Sequence, residues 1–103
     1  MDVGGRKMKA SEMLTLIKEQ IKGMEESVSL VDAQGRGIIH IGRDCDTGES
    51  VMLTSEQSSG ICADRAIGLL ENLEPDSVIV TSENIYIDSI RYEKVVRPVL
   101  VCS

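Results

Sequence analysis

The sequence predicts a single α+β domain: two helices packed on one five-stranded antiparallel sheet, in the order α-β-β-α-β-β-β. Three observations predict it. Two stretches place apolar residues every third or fourth position, as one face of a helix does. Five short runs are rich in β-branched residues with a period near two. Finally, 103 residues with 42% apolar content suffice for one core and argue against a disordered chain. With no Trp, no Phe and two tyrosines, Tyr86 and Tyr92, that core must be built from Ile, Leu, Val, Met and Ala.

Residues 1–8 (MDVGGRKM) read as a flexible lead-in and residues 9–103 as the domain. Over 11–24, Met13, Leu14, Ile17, Ile21 and Met24 fall on one helical face. Ser11 fits an N-cap, Glu12 suits the helix dipole, and Gly23 marks the stop. Residues 27–32 (SVSLVD) and 37–41 (GIIHI) flank Ala33-Gln34-Gly35-Arg36 and read as an antiparallel hairpin, with Gly35 free to take positive φ. Strand alternation turns His40 away from Ile39 and Ile41. Residues 42–50 form a loop, and Val51-Met52-Leu53 is either the tail of the second strand or a short extra one.

Thr54 and Gln57 have the spacing of a capping box and predict a helix running to Asn72 or Leu73, stopped by Pro75. Cys62, Ala66, Leu69 and Leu73 make one apolar stripe on it, and Ala63, Ile67 and Leu70 a second. Together they cover about 160°, wider than the ~100° that one core contact needs. Gly60 and Gly68 lie inside this predicted helix, each costing about 1 kcal/mol relative to Ala, and such glycines mark either close approach of another backbone or chance placement. Strands follow over 77–81 (SVIVT), 84–90 (NIYIDSI) and 95–102 (VVRPVLVC). Pro98 cannot donate to a ladder, so a bulge or a strand starting at Val99 is expected there.

The net charge of −6 argues against a binder of phosphate backbones, and no set of aromatics exists to stack single-stranded bases. The basic group Arg6, Lys7 and Lys9 reads as part of a solvated tail. Three widely spaced cysteines, Cys45, Cys62 and Cys102, define no disulfide framework and suit reduced thiols in the cytoplasm. No window approaches the ~20 apolar residues of a membrane span. His40 is the sole histidine; paired with Cys45 it lacks an orienting third group. Asp44-Cys45-Asp46 cannot converge on one ion and reads as a polar turn. Gly42 is followed by Arg43 and Asp44 rather than by Lys-Ser, so there is no phosphate loop. Ser58-Ser59-Gly60 reads as capping rather than as an anion site. The expectation is a binding protein that is not an enzyme and needs no cofactor.

The order of elements resembles the roadblock / dynein light chain family. The likeness is carried by the leading helix ASEMLTLIKEQIKG, the hairpin SLVDAQGRGIIHI, the helix TSEQSSGICADRAIGLLENL and the stretch DSVIVTSENIYIDSI, and it covers roughly residues 10–102. The resemblance implies a profilin-like or longin-like sheet and homo- or heterodimers joined through the third strands and the central helices. It therefore implies a dimer interface at Cys62, Ala63, Ala66, Ile67, Leu70, Val78 and Val80. It also implies that the chain regulates or scaffolds a small Ras-like GTPase, or pairs with a related roadblock-like subunit. Asp64, Arg65, Glu71 and Asn72 lie opposite the apolar arc and are the candidate partner-binding surface. Two departures stand beside the likeness: many members carry a third helix after the last strand, and Pro98 falls in an interior strand. The rival reading is a small-ligand sensor of PAS or profilin-like type, in which Asp88 and Arg97 supply convergent polar groups.

Overall fold

A computed structural model describes residues 7–94 and 96–103. Its first element is helix α1 (Ala10–Ile21), which buries Met13 and Ile17 completely. The helix begins earlier than Ser11. Lys9 is the N-cap, and the Glu12 carboxylate accepts its backbone N–H at 3.0 Å. Ser11 thus sits inside the first turn, and its C=O accepts the Thr15 hydroxyl. The expected lead-in falls largely on residues 1–6, outside the described residues. Met8, however, is buried at 5% exposure and belongs to the core.

The class is α/β with two helices, as expected, but the sheet differs in two ways. Among the described residues it has six strands, and it is mixed rather than antiparallel. The strands are β1 (Ser29–Asp32), β2 (Gly37–Arg43), β3 (Ser50–Ser55), β4 (Ile79–Thr81), β5 (Ile90–Lys94) and β6 (Pro98–Cys102), in the spatial order β4-β3-β2-β1-β6-β5. Val51-Met52-Leu53 is the middle of β3, a separate strand. β3 and β4 run parallel because helix α2 (Ala63–Glu71) carries the chain back between them, the crossover that parallel neighbours require. The parallel pair β1 and β6 places Leu30 beside Leu100 at the centre.

Helix α2 starts at Ala63, not at Thr54. Residues 54 and 55 end β3, and Gln57 donates its backbone N–H to Ser55 Oγ in a turn, so no capping box forms. The cause lies at Gly60, whose φ of +97° is closed to a helix and whose Cβ, if present, would stand 2.0 Å from the Leu30 carbonyl. The chain passes here between β1 and β2. Ile61 donates to Ile38 C=O at 2.8 Å and accepts from Leu30 N–H at 2.9 Å, and Ala63 donates to Val28 C=O at 2.7 Å. β1 and β2 therefore pair directly only near their turn, at Val31 and Gly37. Gly37 is equally confined, since a Cβ there would meet Ser58 O at 2.3 Å.

The turn itself is the expected one: Gly35 takes φ +83° and donates to Asp32 C=O. Residues 84–90 are not a strand. Tyr86 makes a single bridge to Val80, and the regular strand begins at Ile90. Pro98 is the first residue of β6, opposite Lys94, where its missing N–H costs no ladder bond. Both helices pack on one face of the sheet, and Leu30, Ile38, Ile41, Met52, Ile79 and Leu100 fill the core beneath them with Met13, Ile17, Ala66 and Leu70. No helix among the described residues is long and apolar enough to cross a membrane.

Candidate functional site

The broad apolar arc of α2 is used within the chain. Ala63, Ala66 and Leu70 are buried at 3%, 0% and 2% exposure, while Ile67, Leu69 and Leu73 are half-buried against the same core. Helix α1 lies alongside α2, so the arc packs against both the sheet and α1. Cys62 sits at the start of α2, half-buried, bridged to Ser29. Val80 is buried and Val78 half-buried. Of the seven residues expected at a dimer interface, Ala63, Ala66, Leu70 and Val80 thus have their side chains enclosed by their own chain.

The backbone edge of β4 is closed as well. On its outer side Ile79 donates to Met8 C=O at 2.9 Å and accepts from Ile87, Thr81 donates to Ile85 C=O at 2.9 Å, and Ser77 C=O accepts from Ala10 at 2.8 Å. An added strand finds no free ladder there.

The opposite edge is different. Ser89 and Ser103 exchange both backbone bonds, at 2.9 and 3.0 Å, which fixes the alternation along the β5–β6 pair. Arg91 and Glu93 point their backbone groups at β6, while Ile90, Tyr92 and Lys94 point theirs outward. The Ile90 carbonyl accepts from Gln20 Nε2 at 3.3 Å. The N–H and C=O of Tyr92 meet no hydrogen bond among the described residues. The Arg91 and Glu93 side chains project on the face away from the helices and pair with each other at 2.7 Å.

That uncovered face carries apolar side chains of its own. A bulge between Ile38 and His40 puts Ile39 and His40 together on the open side, contrary to simple alternation. Ile39 is 42% exposed, and Leu53, paired with His40, is 41% exposed. On the outer face of α2, Asp64, Arg65, Glu71 and Asn72 are all exposed. Glu71 pairs with Lys18 of α1 at 3.6 Å, and Asn72 Nδ2 donates to Gly68 C=O at 3.2 Å.

The groups with chemical potential are arranged as structure. The Asp32 carboxylate accepts the N–H of Gln34 and of Arg36 at 2.9 Å each and Arg36 Nε at 2.7 Å. Arg36 also pairs with Glu83, and the two carboxylates, Glu83 first, raise its pKa further. This cluster clamps the β1–β2 turn to the turn after β4. Cys102 is fully buried, and burial first and Asp32 second push its thiol up to about 12, far from a thiolate nucleophile. Ser77 Oγ donates to Glu74 C=O and so accepts from Ser50 Oγ at 2.6 Å, a buried link across the end of β3. In the loop after β2, Asp44 Oδ1 accepts Asp46 N–H at 2.9 Å, the bond of a polar turn.

A cleft of about 490 Å³ lies between α1 and the segment before β5, lined by Met8, Ser11, Glu12, Thr15, Leu16 and Asp88. Arg97 lines another cleft, of about 250 Å³, and donates to Ser59 C=O at 2.8 Å. Asp88 and Arg97 therefore do not converge on one cavity.

No family model matches the chain, and neither a curated protein nor a solved structure is similar to it. The open β5 edge has no counterpart among the expected strands, because residue 90 ends the one expected over 84–90 and residues 91–94 fall between it and the one expected over 95–102.

Proposed function

We propose that the chain is a dimerising, protein-binding module with no catalytic step of its own. The observation that carries this reading is the difference between the two sheet edges: β4 is bonded along its outer side, whereas Tyr92 on β5 offers an unused donor and acceptor. An exposed edge is a template for another strand, which adds main-chain bonds without disturbing the core. The partner class comes from the resemblance alone. It is a small Ras-like GTPase or a related roadblock-like subunit, meeting the strip formed by Asp64, Arg65, Glu71 and Asn72. Charges of both signs there favour orientation and on-rate over raw affinity.

Titration against small GTPases from the same cell, in both nucleotide states, tests the partner. Arg65→Glu should weaken binding by about 1–3 kcal/mol while leaving the melting temperature unchanged. Absence of binding in both states overturns the GTPase reading, and a chain that stays monomeric at high micromolar concentration overturns dimerisation.

One observation favours a second reading. The cleft beside α1, about 490 Å³ with Ser11, Thr15 and Asp88 around Met8 and Leu16, has the size of a small-molecule site, typically about 300–1,000 Å³. A sensor would then carry a metabolite there, and native mass spectrometry of the freshly purified protein would show the added mass.

A further inference from the structure

We infer that a second copy of this chain pairs antiparallel along β5, in the one register centred on Tyr92. The inference rests on the self-association proposed above and names its surface. In that register Tyr92 faces its symmetry mate, and the two exchange N–H···O bonds. Ile90 faces the mate's Lys94, again outward groups meeting outward groups, with the Gln20 amide sharing or giving up the Ile90 carbonyl. Arg91 then lies opposite the mate's Glu93, and Glu93 opposite the mate's Arg91, at the non-hydrogen-bonded positions where side chains approach most closely.

Charge selects this register from its neighbours. Outward backbone groups must meet outward groups, so the pairing can slip only in steps that keep Ile90, Tyr92 and Lys94 facing one another. One step one way sets Arg91 against Arg91, and one step the other way sets Glu93 against Glu93. Only the pairing about Tyr92 sets Arg91 against Glu93, and the two-fold axis produces that attractive contact twice. The Arg91–Glu93 pair within one chain is already exposed, at 56% and 42%, so the four charges can re-pair across the axis at little desolvation cost. They fix register more than they add affinity. The side chains of Tyr92 lie on the helix face, half-buried against the core, and leave the open face of β5 to the charged pairs.

The test uses two charge variants of the full chain, Arg91→Glu and Glu93→Arg, followed by sedimentation velocity and native mass spectrometry. Each alone turns two attractive contacts into two repulsive ones, and self-association should weaken roughly tenfold or more. Mixed in equal amounts, the two should form a heterodimer, because the acidic edge of one complements the basic edge of the other. A wild-type dimer that both variants leave intact overturns the β5 register while self-association stands. Weakened variants that fail to pair when mixed overturn it too, since the loss then comes from the ion pair within one chain. A monomeric wild type overturns both. Hydrogen exchange of the wild type gives an independent reading: the Tyr92 amide should gain protection as concentration rises. Unchanged exchange at Tyr92 across a range in which the chain dimerises refutes the pairing.

Discussion

Met52 and Leu53 are adjacent in β3 and belong to different worlds. Met52 points under the helices and is 0% exposed; Leu53 points to the bare side of the sheet and is 41% exposed. The helix-covered side holds the fully buried side chains of Met13, Ile17, Leu30, Ile38, Ile41, Ile79 and Leu100, and the bare side holds Ile39, His40 and Leu53. Val31, Val80 and Val101 are also buried on the side away from the helices, so the part open to change for the sake of binding is the exposed patch of Ile39, His40 and Leu53 together with the β5 edge.

The strongest test of that contrast is Ala66→Arg. A charge forced under the helices, where Ala66 has no exposure, should abolish folding, read as loss of the cooperative thermal transition. A variant that folded and merely dissociated a dimer would mean that α2 faces a partner instead of its own core. Next comes Met52→Ala, expected to cost about 2–5 kcal/mol in urea unfolding through lost burial and a residual cavity.

The Cys102 thiol probes the same covered side by pH. Its pKa in the folded chain, raised to about 12 from an ordinary 9.0, means that the unfolded chain loses its proton first. Its contribution is complete below pH 9 and falls as pH rises toward 12, by up to about 1.4 kcal/mol per unit. Tyr86, raised by its bond to Glu49, titrates in the same sense. The comparison is therefore wild type against Cys102→Ala, whose stability should decline less steeply above pH 9. A thiol reagent should label the exposed Cys45 in the folded chain and reach Cys102 only on unfolding. The smallest effect is expected at Leu53→Ala, within about 0.5 kcal/mol of wild type, as for an exposed position. A loss approaching that of Met52→Ala would show that the bare side is covered in solution.

Much of the first half of the chain was legible. The spacing of Met13, Ile17 and Ile21 gave α1, and Asp32 to Gly35 gave the hairpin turn, because both depend on neighbours in sequence. The start of α2 was not legible. The run TSEQSSG has the composition of a helix start, and only the encounter of Gly60 with Leu30 makes it a linker instead. The double stripe on α2 is wider than one core contact needs, and α1 packs alongside it in the same chain, a packing no periodicity reveals. The strand at 90–94 was hidden because Arg91, Glu93 and Lys94 are polar at an edge, where alternation loses its force. The charged strip at Asp64, Arg65, Glu71 and Asn72 is exposed as the helical projection expects, since exposure on a helix follows directly from the apolar arc.

The passage of residues 60–62 between β1 and β2 sets the order in which this molecule can be made. A simple hairpin closes as soon as its two strands leave the ribosome, but here the first two strands are joined over part of their length by a piece of chain synthesised later. β1 waits longer still for its other neighbour, since Ser29 pairs with Val99. The middle of the sheet is consequently the last part to be completed. Such long-range closure slows folding toward the millisecond-to-second range of about 10⁻³–1 s. Until β6 arrives, the apolar residues of β1 remain exposed on the nascent chain, and the period of greatest aggregation risk is the interval between the emergence of residue 30 and that of residue 100.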